Sequence, residues 1–263
     1  SDLFDYHMHS RVSFDGHDTG AALVQAAEKA GLREICFTDH MDYVRGAAEQ
    51  TMIFAEEDYS REYDGLTSQT LKIRRGMEYG LYPDNMDQMK RDCARRSYDF
   101  VLGSIHFVDD LDVYFGEYWQ GKTVFEAQRR YFEEMLACVQ VHNDYDVLAH
   151  MTYLHKGRGS PVKTPLPYED HRELIDEILR QLALKGKGLE VNTSGVDRCG
   201  GFLPTPDYVR RFRELGGEIV TIGSDAHNCQ RVGQYTKEAC QMLKDIFGYV
   251  CTFENRKPIF HKL

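Results

Sequence analysis

Seven times along the chain, a short run of apolar and β-branched residues is followed by a longer polar or helix-periodic stretch. The short runs are FDYHMH (4–9), REICFTDH (33–40), LKIRRGMEY (71–79), FVLGSIHF (100–107), DVLAHMTY (146–153), GLEVNTSG (188–195) and EIVTIGSDAH (218–227). Helical spacing of apolar residues marks 20–31, ending on Gly31, as well as 123–140 and 170–186, with Gly186 after the last turn. The segment 205–217 opens with Thr205 as N-cap and Pro206 at the first helical position, and closes on Gly216 and Gly217. Strands separated by helices pair in parallel, with the helices outside. Seven such units suit a closed barrel better than an open sheet, and 263 residues fit one barrel domain spanning 1–263. No Pro-, Ser- or Gly-rich linker marks a boundary. The acidic segment 41–70 is expected to form a loop plus helix over one barrel end.

In a parallel barrel the functional groups sit at the C-terminal ends of the strands. Each of the seven runs finishes in such groups: His7 and His9; Asp39 and His40; Glu78; His106; His150; Asn192 and Ser194; Asp225 and His227. Six of the eleven histidines lie there. An alternating His-x-His on a strand also turns both imidazoles to one face. With Asp15 from the loop after the first strand, nine donors converge: His7, His9, Asp15, His40, Glu78, His106, His150, Asp225 and His227. Imidazole mixed with carboxylate suits zinc, manganese or iron rather than calcium or magnesium. Nine donors serve two ions with room to spare and three sparingly, and Glu78 can bridge a pair about 3.5–4 Å apart.

Three divalent ions against three carboxylates leave such a pocket cationic, although the chain as a whole carries −10. That pocket suits a phosphate dianion. A metal-bridging hydroxide is a competent nucleophile near neutral pH, because coordination lowers the pKa of water toward about 7. The surface charge argues against a nucleic-acid partner, since Lys and Arg are outnumbered 32 to 42 and no basic stripe tracks a backbone. Seven scattered cysteines without a Cys-x-x-Cys pair fit a reducing compartment, with neither a disulfide scaffold nor a thiolate zinc site. With no apolar stretch of membrane-spanning length and no visible secretion signal, a cytoplasmic location is expected. The oligomeric state is not readable.

The series HMH, FTDH, GMEYG, GSIHF, LAH, EVNTSG and GSDAH, in this order over residues 5–227, resembles the PHP (polymerase and histidinol phosphatase) family. The resemblance implies a single-domain, distorted (β/α)7 TIM-like barrel with a trinuclear site of manganese, iron or zinc. It implies one ion held by His7, His9, Glu78 and Asp225, a second by Glu78, His106 and His150, and a third by Asp15, His40 and His227. A carboxylate at position 15 is a point of variation, since some branches carry His there. Within the family, the chain's size, its tail CTFENRKPIFHKL and the absence of a polymerase module are most similar to the histidinol-phosphate phosphatase branch. That implies release of phosphate from L-histidinol phosphate in histidine biosynthesis, with Asp225, His227 and Glu78 at the reacting centre.

Two loop arginines, Arg158 in LHKGRGS and Arg198 in GVDRCG, follow strand ends and offer planar forks for phosphate. Asp39 is expected to orient a ligand rather than bind metal, and Asn192 and Ser194 to cap the sixth strand. His17, His142, His155, His171 and His261 lie off the strand ends and are expected at the surface. Three other functions compete: a phosphoesterase acting on nucleotides or oligonucleotides, a barrel amidohydrolase, and a metal-storage protein. His40 and His227 are surplus to the amidohydrolase chemistry.

Overall fold

The computed structural model describes residues 2–45 and 52–263. Residues 46–51, within the acidic segment, and residue 1 lie outside the described residues. The seven strands are β1 (Phe4–Asp5), β2 (Glu34–Met41), β3 (Lys72–Gly80), β4 (Phe100–Ser104), β5 (Val147–Leu148), β6 (Gly188–Asn192) and β7 (Val220–Gly223). They pair in that order, every pair parallel. The barrel closes between its first and last strands. Tyr6 N–H donates to Ile222 O at 2.9 Å, His9 N–H donates to Ala226 O at 2.8 Å, and Met8 bridges Ala226. On the opposite side the Met8 carbonyl accepts from Thr38 N–H at 2.9 Å, so the predicted strand 4–9 is held beyond the two residues of β1.

The helices are α1 (Gly20–Lys29), α2 (Glu56–Tyr63), α3 (Met86–Cys93), α4 (Val124–Val141), α5 (Arg172–Leu184), α6 (Gly195–Cys199), α7 (Pro206–Glu214) and α8 (Thr236–Ile246). Local signals set their ends. Thr19 caps α1 by accepting from Ala22 N–H, and Thr123 with Glu126 forms a capping box on α4. Gly31 and Gly186, at φ of 75° and 68°, turn the chain out of α1 and α5 in the left-handed conformation that only glycine adopts without cost. In the acidic segment, α2 packs its buried Tyr59 and Tyr63 against the barrel wall, with Tyr63 stacked on Phe37 of β2. Met52, ahead of α2, reaches the barrel mouth.

Strand side chains such as Ile35, Phe37, Val101, Leu189, Val191, Val220 and Ile222 are buried, as are Leu23, Ala27, Phe132, Met135, Leu179 and Leu243 on the helices. Each of these side chains other than Ala27 contributes about 1.5–3 kcal/mol of burial. After α8 comes an antiparallel hairpin, Tyr249–Glu254 with Lys257–Lys262, that the strand–helix alternation does not announce. Its two-residue turn, Asn255–Arg256, has φ of 49° and 66°, the twist that matches paired strands. The hairpin lies under the N-terminal end of the barrel. Phe253 packs tilted against Phe100 with ring centroids 4.9 Å apart, and the Tyr6 hydroxyl oxygen accepts from Phe253 N–H at 3.1 Å. Among the described residues no helix is long and apolar enough to cross a membrane.

Candidate metal centre

All nine expected donors gather at the C-terminal mouth: eight stand at or just beyond the end of their strands, and Asp15 comes from the loop between β1 and α1. Two of them sit in backbone conformations that side chains rarely adopt, His150 at φ 23° and Asp225 at φ 57°. Such geometry concentrates at functional sites, where the surrounding structure holds it in place.

Four groups of donor atoms emerge: His7, His9, Glu78 and Asp225; Glu78, His106 and His150; His9, Asp15, His40 and His227; and His40, Asp42 and His106. The first three contain the ligand sets expected from the sequence. In the first, the Nε2 atoms of His7 and His9 lie 3.0 and 3.1 Å from Glu78 Oε1, and 3.3 and 3.1 Å from Asp225 Oδ1. Donors about 2.0–2.1 Å from a tetrahedral ion stand roughly 3.3 Å apart. Glu78 turns its other oxygen elsewhere: Oε2 is 2.9 Å from His150 Nε2 and 3.2 Å from His106 Nε2. One carboxylate thus serves two clusters through two oxygens. Asp15 Oδ2 joins His40 Nε2 at 3.2 Å and His227 Nε2 at 3.1 Å.

Several of these contacts are close without being hydrogen bonds. His9 Nε2 and Asp225 Oδ1 are buried, near each other, and have no hydrogen-bond partner. Asp15 Oδ1, Asp42 Oδ1 and the Nδ1 atoms of His40 and His150 are also unpaired. Buried polar atoms left so are rare and costly. Between His9 Nε2 and Asp225 Oδ1 the close approach without hydrogen-bond angles fits donors aimed at a common third atom, and the donor set is one that takes a transition metal. The cluster also demands positive charge. Burial alone would raise the pKa of Glu78, but His7, His106 and His40 hold it well below the ordinary carboxylate value. Burial is likewise outweighed at Asp225, chiefly by His7 and Lys156. Conversely, Asp225, Glu190 and Glu78 raise His7 well above the usual imidazole value against the effect of its burial.

The second nitrogens of His9, His106 and His227 are held from behind, which decides their tautomers. His227 Nδ1 faces the Asp225 carbonyl at 2.8 Å; a carbonyl only accepts, so Nδ1 carries the proton and Nε2 its lone pair. His106 Nδ1 meets Asp42 Oδ2 at 2.8 Å. Ser13 hydroxyl donates to Asp39 Oδ1 at 2.7 Å, so its oxygen accepts from His9 Nδ1 at 3.0 Å. Asp39 thus backs His9 through Ser13, whose oxygen also accepts from the His40 backbone N–H at 3.0 Å. Gly80 leaves room for Asp42, since a Cβ there would lie 1.6 Å from Asp42 Oδ1.

The cluster forms the floor of a mouth cavity of about 480 Å3. Phe14, Phe107, Tyr114, Phe115 and Tyr153 supply aromatic walls, and Lys156, Arg198 and Arg231 supply cations. Arg198 donates to Tyr114 hydroxyl at 2.9 Å and to the Lys156 carbonyl at 3.3 Å. Lys156 Nζ lies 3.1 Å from Asp225 Oδ2. Arg158 differs from expectation: it is exposed and stands outside the cavity lining, so Lys156, two residues earlier, is the cation this loop turns inward. Ser194 lines the cavity, while Asn192 Oδ1 accepts from Ser194 N–H at 3.0 Å as a cap.

The expectation of surface positions fails for three histidines: His142, His155 and His171 are buried. His142 Nε2 donates to the Tyr82 carbonyl at 2.6 Å, and Gln128 links His155 and His171 at 3.0 and 2.8 Å. His155 and His171 tie to α4 through Gln128, His142 ties the end of α4 to Tyr82, and none of the three lines the mouth cavity. His17 is exposed. Asp42, Glu190 and Lys156 were missed from the sequence. Asp42 is two residues from His40, and Glu190 two from Asn192, so strand alternation placed both on the inward face.

The chain matches the PHP domain over residues 5–194. It is 31% identical to the histidinol-phosphatase of Lactococcus lactis subsp. lactis, covering 96% of this chain and 95% of that one. It is 30% identical to a probable histidinol-phosphatase of Clostridium acetobutylicum, covering 98% and 96%. Its fold superposes with a TM-score of 0.88 on the crystal structure of the Lactococcus lactis histidinol phosphate phosphatase complexed with Zn, L-histidinol and phosphate, at 30% identity, over 98% of this chain and 99% of that one. Barrel, donor clusters and relatives agree, and the chain belongs to the PHP domain family.

Proposed function

We propose that this chain is a metal-dependent phosphomonoesterase that hydrolyses L-histidinol phosphate to L-histidinol and phosphate. The observation that carries the reading is Glu78, buried at the centre, with Oε1 facing His7 and His9 and Oε2 facing His106 and His150 beside a cation-lined cavity. The Lactococcus lactis relative, whose structure holds Zn, L-histidinol and phosphate, supplies the substrate.

Three divalent ions of zinc, manganese or iron fit the donors: His7, His9, Glu78 and Asp225 for one, Glu78, His106 and His150 for the second, and Asp15, His40 and His227 for the third. Ions bound there would act as Lewis acids toward phosphoryl oxygens and bring the pKa of coordinated water toward about 7. The chain's own groups do the rest. Lys156 and Arg198 bind phosphoryl oxygens, Lys156 as a point charge and Arg198 as a fork already oriented by Tyr114. Phe14, Tyr114, Phe115 and Tyr153 enclose the imidazole side of the substrate and exclude water. Asp225 faces the first cluster with Oδ1, so the proton of the attacking water passes to Oδ2, 3.1 Å from Lys156 Nζ, and from there to the alkoxide of L-histidinol as its bond to phosphorus breaks.

The test is phosphate release from L-histidinol phosphate by the purified, zinc- or manganese-loaded chain, with elemental analysis of the same preparation. The expected result is turnover far above an Asp225→Asn control, with close to three ions per chain. A rate no higher than that of the control would overturn the substrate. Release from nucleotides exceeding that from histidinol phosphate would redirect it.

A further inference from the structure

Glu190 stands on β6, fully buried, two residues before Asn192. We propose that Glu190 is a positioning residue that joins two of the donor clusters into one unit and fixes the tautomer of His7. The inference rests on the reading that these clusters hold ions, and is independent of the substrate.

The two oxygens of Glu190 have different partners. Oε2 lies 2.6 Å from His7 Nδ1. Oε1 accepts from the His150 backbone N–H at 2.9 Å and from Asn192 Nδ2 at 3.0 Å. His7 and His150 meet opposite oxygens of Glu78, at 3.0 and 2.9 Å through their Nε2 atoms. Glu78 therefore faces both histidines from the front, while Glu190 holds both from behind: one by its ring, the other by the backbone at its strained φ of 23°.

A carboxylate is needed in this position, and an amide does not replace it. The His150 N–H can only donate, so the Oε1 site must be an acceptor. A Gln at 190 with its oxygen there turns its NH2 toward His7 Nδ1. Two donors then face each other unless His7 moves its proton to Nε2, the atom aimed at the first cluster. That tautomer has no lone pair to give an ion. The fold also reserves the space: a Cβ on Gly223 of β7 would fall 2.5 Å from Glu190 Oε2 and 2.3 Å from His7 Cβ. His7 on the first strand segment, Glu190 on β6 and Gly223 on β7 thus interlock.

The experiment is stepwise zinc titration of the metal-stripped chain and of Glu190→Gln against a competing chromophoric chelator, with zinc alone as the probe. The affinity of the two steps that share Glu78 should fall about 10–100-fold, and the step at Asp15, His40 and His227 should change less than about 3-fold. At saturating zinc, long-range proton–nitrogen NMR should show a proton on His7 Nδ1 in the parent and its loss in the variant. Gly223→Ala, which keeps the carboxylate but displaces it, should give the same selective weakening and covers the case in which Glu190→Gln does not fold. Unchanged zinc affinity with the Nδ1 proton retained would overturn the proposal. Equal weakening of all three steps, with a lower melting temperature of the stripped chain, would reduce Glu190 to a structural role. A parent chain that binds no zinc sinks the metal reading itself, whereas a parent that binds zinc but fails to turn over histidinol phosphate leaves this inference standing.

Discussion

The two ends of the barrel handle buried charge in opposite ways. At the N-terminal end, under the closing hairpin, each buried carboxylate has a partner. Glu34 is held by Tyr6 hydroxyl and by Arg74 Nε at 3.2 Å, and Asp146 Oδ2 accepts from Val101 N–H at 2.8 Å and Arg256 Nε at 2.6 Å. Asp99 accepts from the backbone of Arg75 and of Asn255. At the C-terminal mouth, His9, Asp15, His40, Asp42, His150 and Asp225 each keep a buried atom without a partner. The closed end is satisfied by the chain alone and serves stability. The mouth is left wanting cations, and its folding cost is offset by the core and by what binds there.

The largest effect that would break this division comes from Glu78→Gln. We expect phosphate release to fall by at least about 10³-fold, beyond the ~10–100-fold that loss of a residue behind a ligand costs. The rise in melting temperature that zinc gives the stripped chain should also shrink, because the substitution removes the carboxylate that two donor groups share. A rise equal to the parent's would show that the mouth does not depend on bound ions.

Arg256→Ala is the reciprocal change. It leaves Asp146 buried with one partner fewer and should lower unfolding free energy by about 1–3 kcal/mol in urea titration, with kcat for histidinol phosphate within about 2-fold of the parent. A matching loss of turnover would mean that the two ends are coupled through the barrel.

Within the mouth, Arg198→Ala should raise KM for histidinol phosphate about 10-fold, on the scale of one charge-assisted contact. Arg158→Ala should move it less than 2-fold, within the range of a surface substitution of about 0.5 kcal/mol or less. The reverse order would place Arg158, not Lys156 and Arg198, over the phosphate.

The smallest effect concerns pH. Burial lowers the pKa of His142, His155 and His171. The unfolded chain then binds more protons than the folded one below the ordinary imidazole value of about 6.5, so stability contributed by these residues is present above that pH and lost as pH falls toward the folded pKa. His142→Gln should flatten the decline of the melting temperature between pH 7 and pH 5 relative to the parent, without changing metal content. An unaltered slope would show that His142 titrates alike in both states.

The donors were legible because each is local to its own strand: His7, His40, Glu78, His106, His150 and Asp225 end a run whose apolar pattern already marks it as a strand. Asp42, Glu190 and Lys156 were harder to see. Their roles depend on partners 64, 183 and 69 residues away, respectively His106, His7 and Asp225. The closing hairpin was hidden for a related reason. CTFENRKPIFHKL reads as a polar tail until Phe253 finds Phe100 and Arg256 finds Asp146.

The order of amino acids alone thus determined the seven strand–helix units and the nine donors that reach the mouth, whereas Thr205, read as the cap of α7, stands at that position without a side-chain capping bond. Periodicity and capping act over a few residues, and so they are written in the chain. Only the tertiary structure decided which oxygen of Glu78 faces which imidazole, that His142, His155 and His171 are core residues rather than surface ones, and that Lys156 rather than Arg158 turns inward. Those outcomes follow from the closure of β1 on β7 and from side-chain directions within fractions of an ångström, which no local pattern encodes.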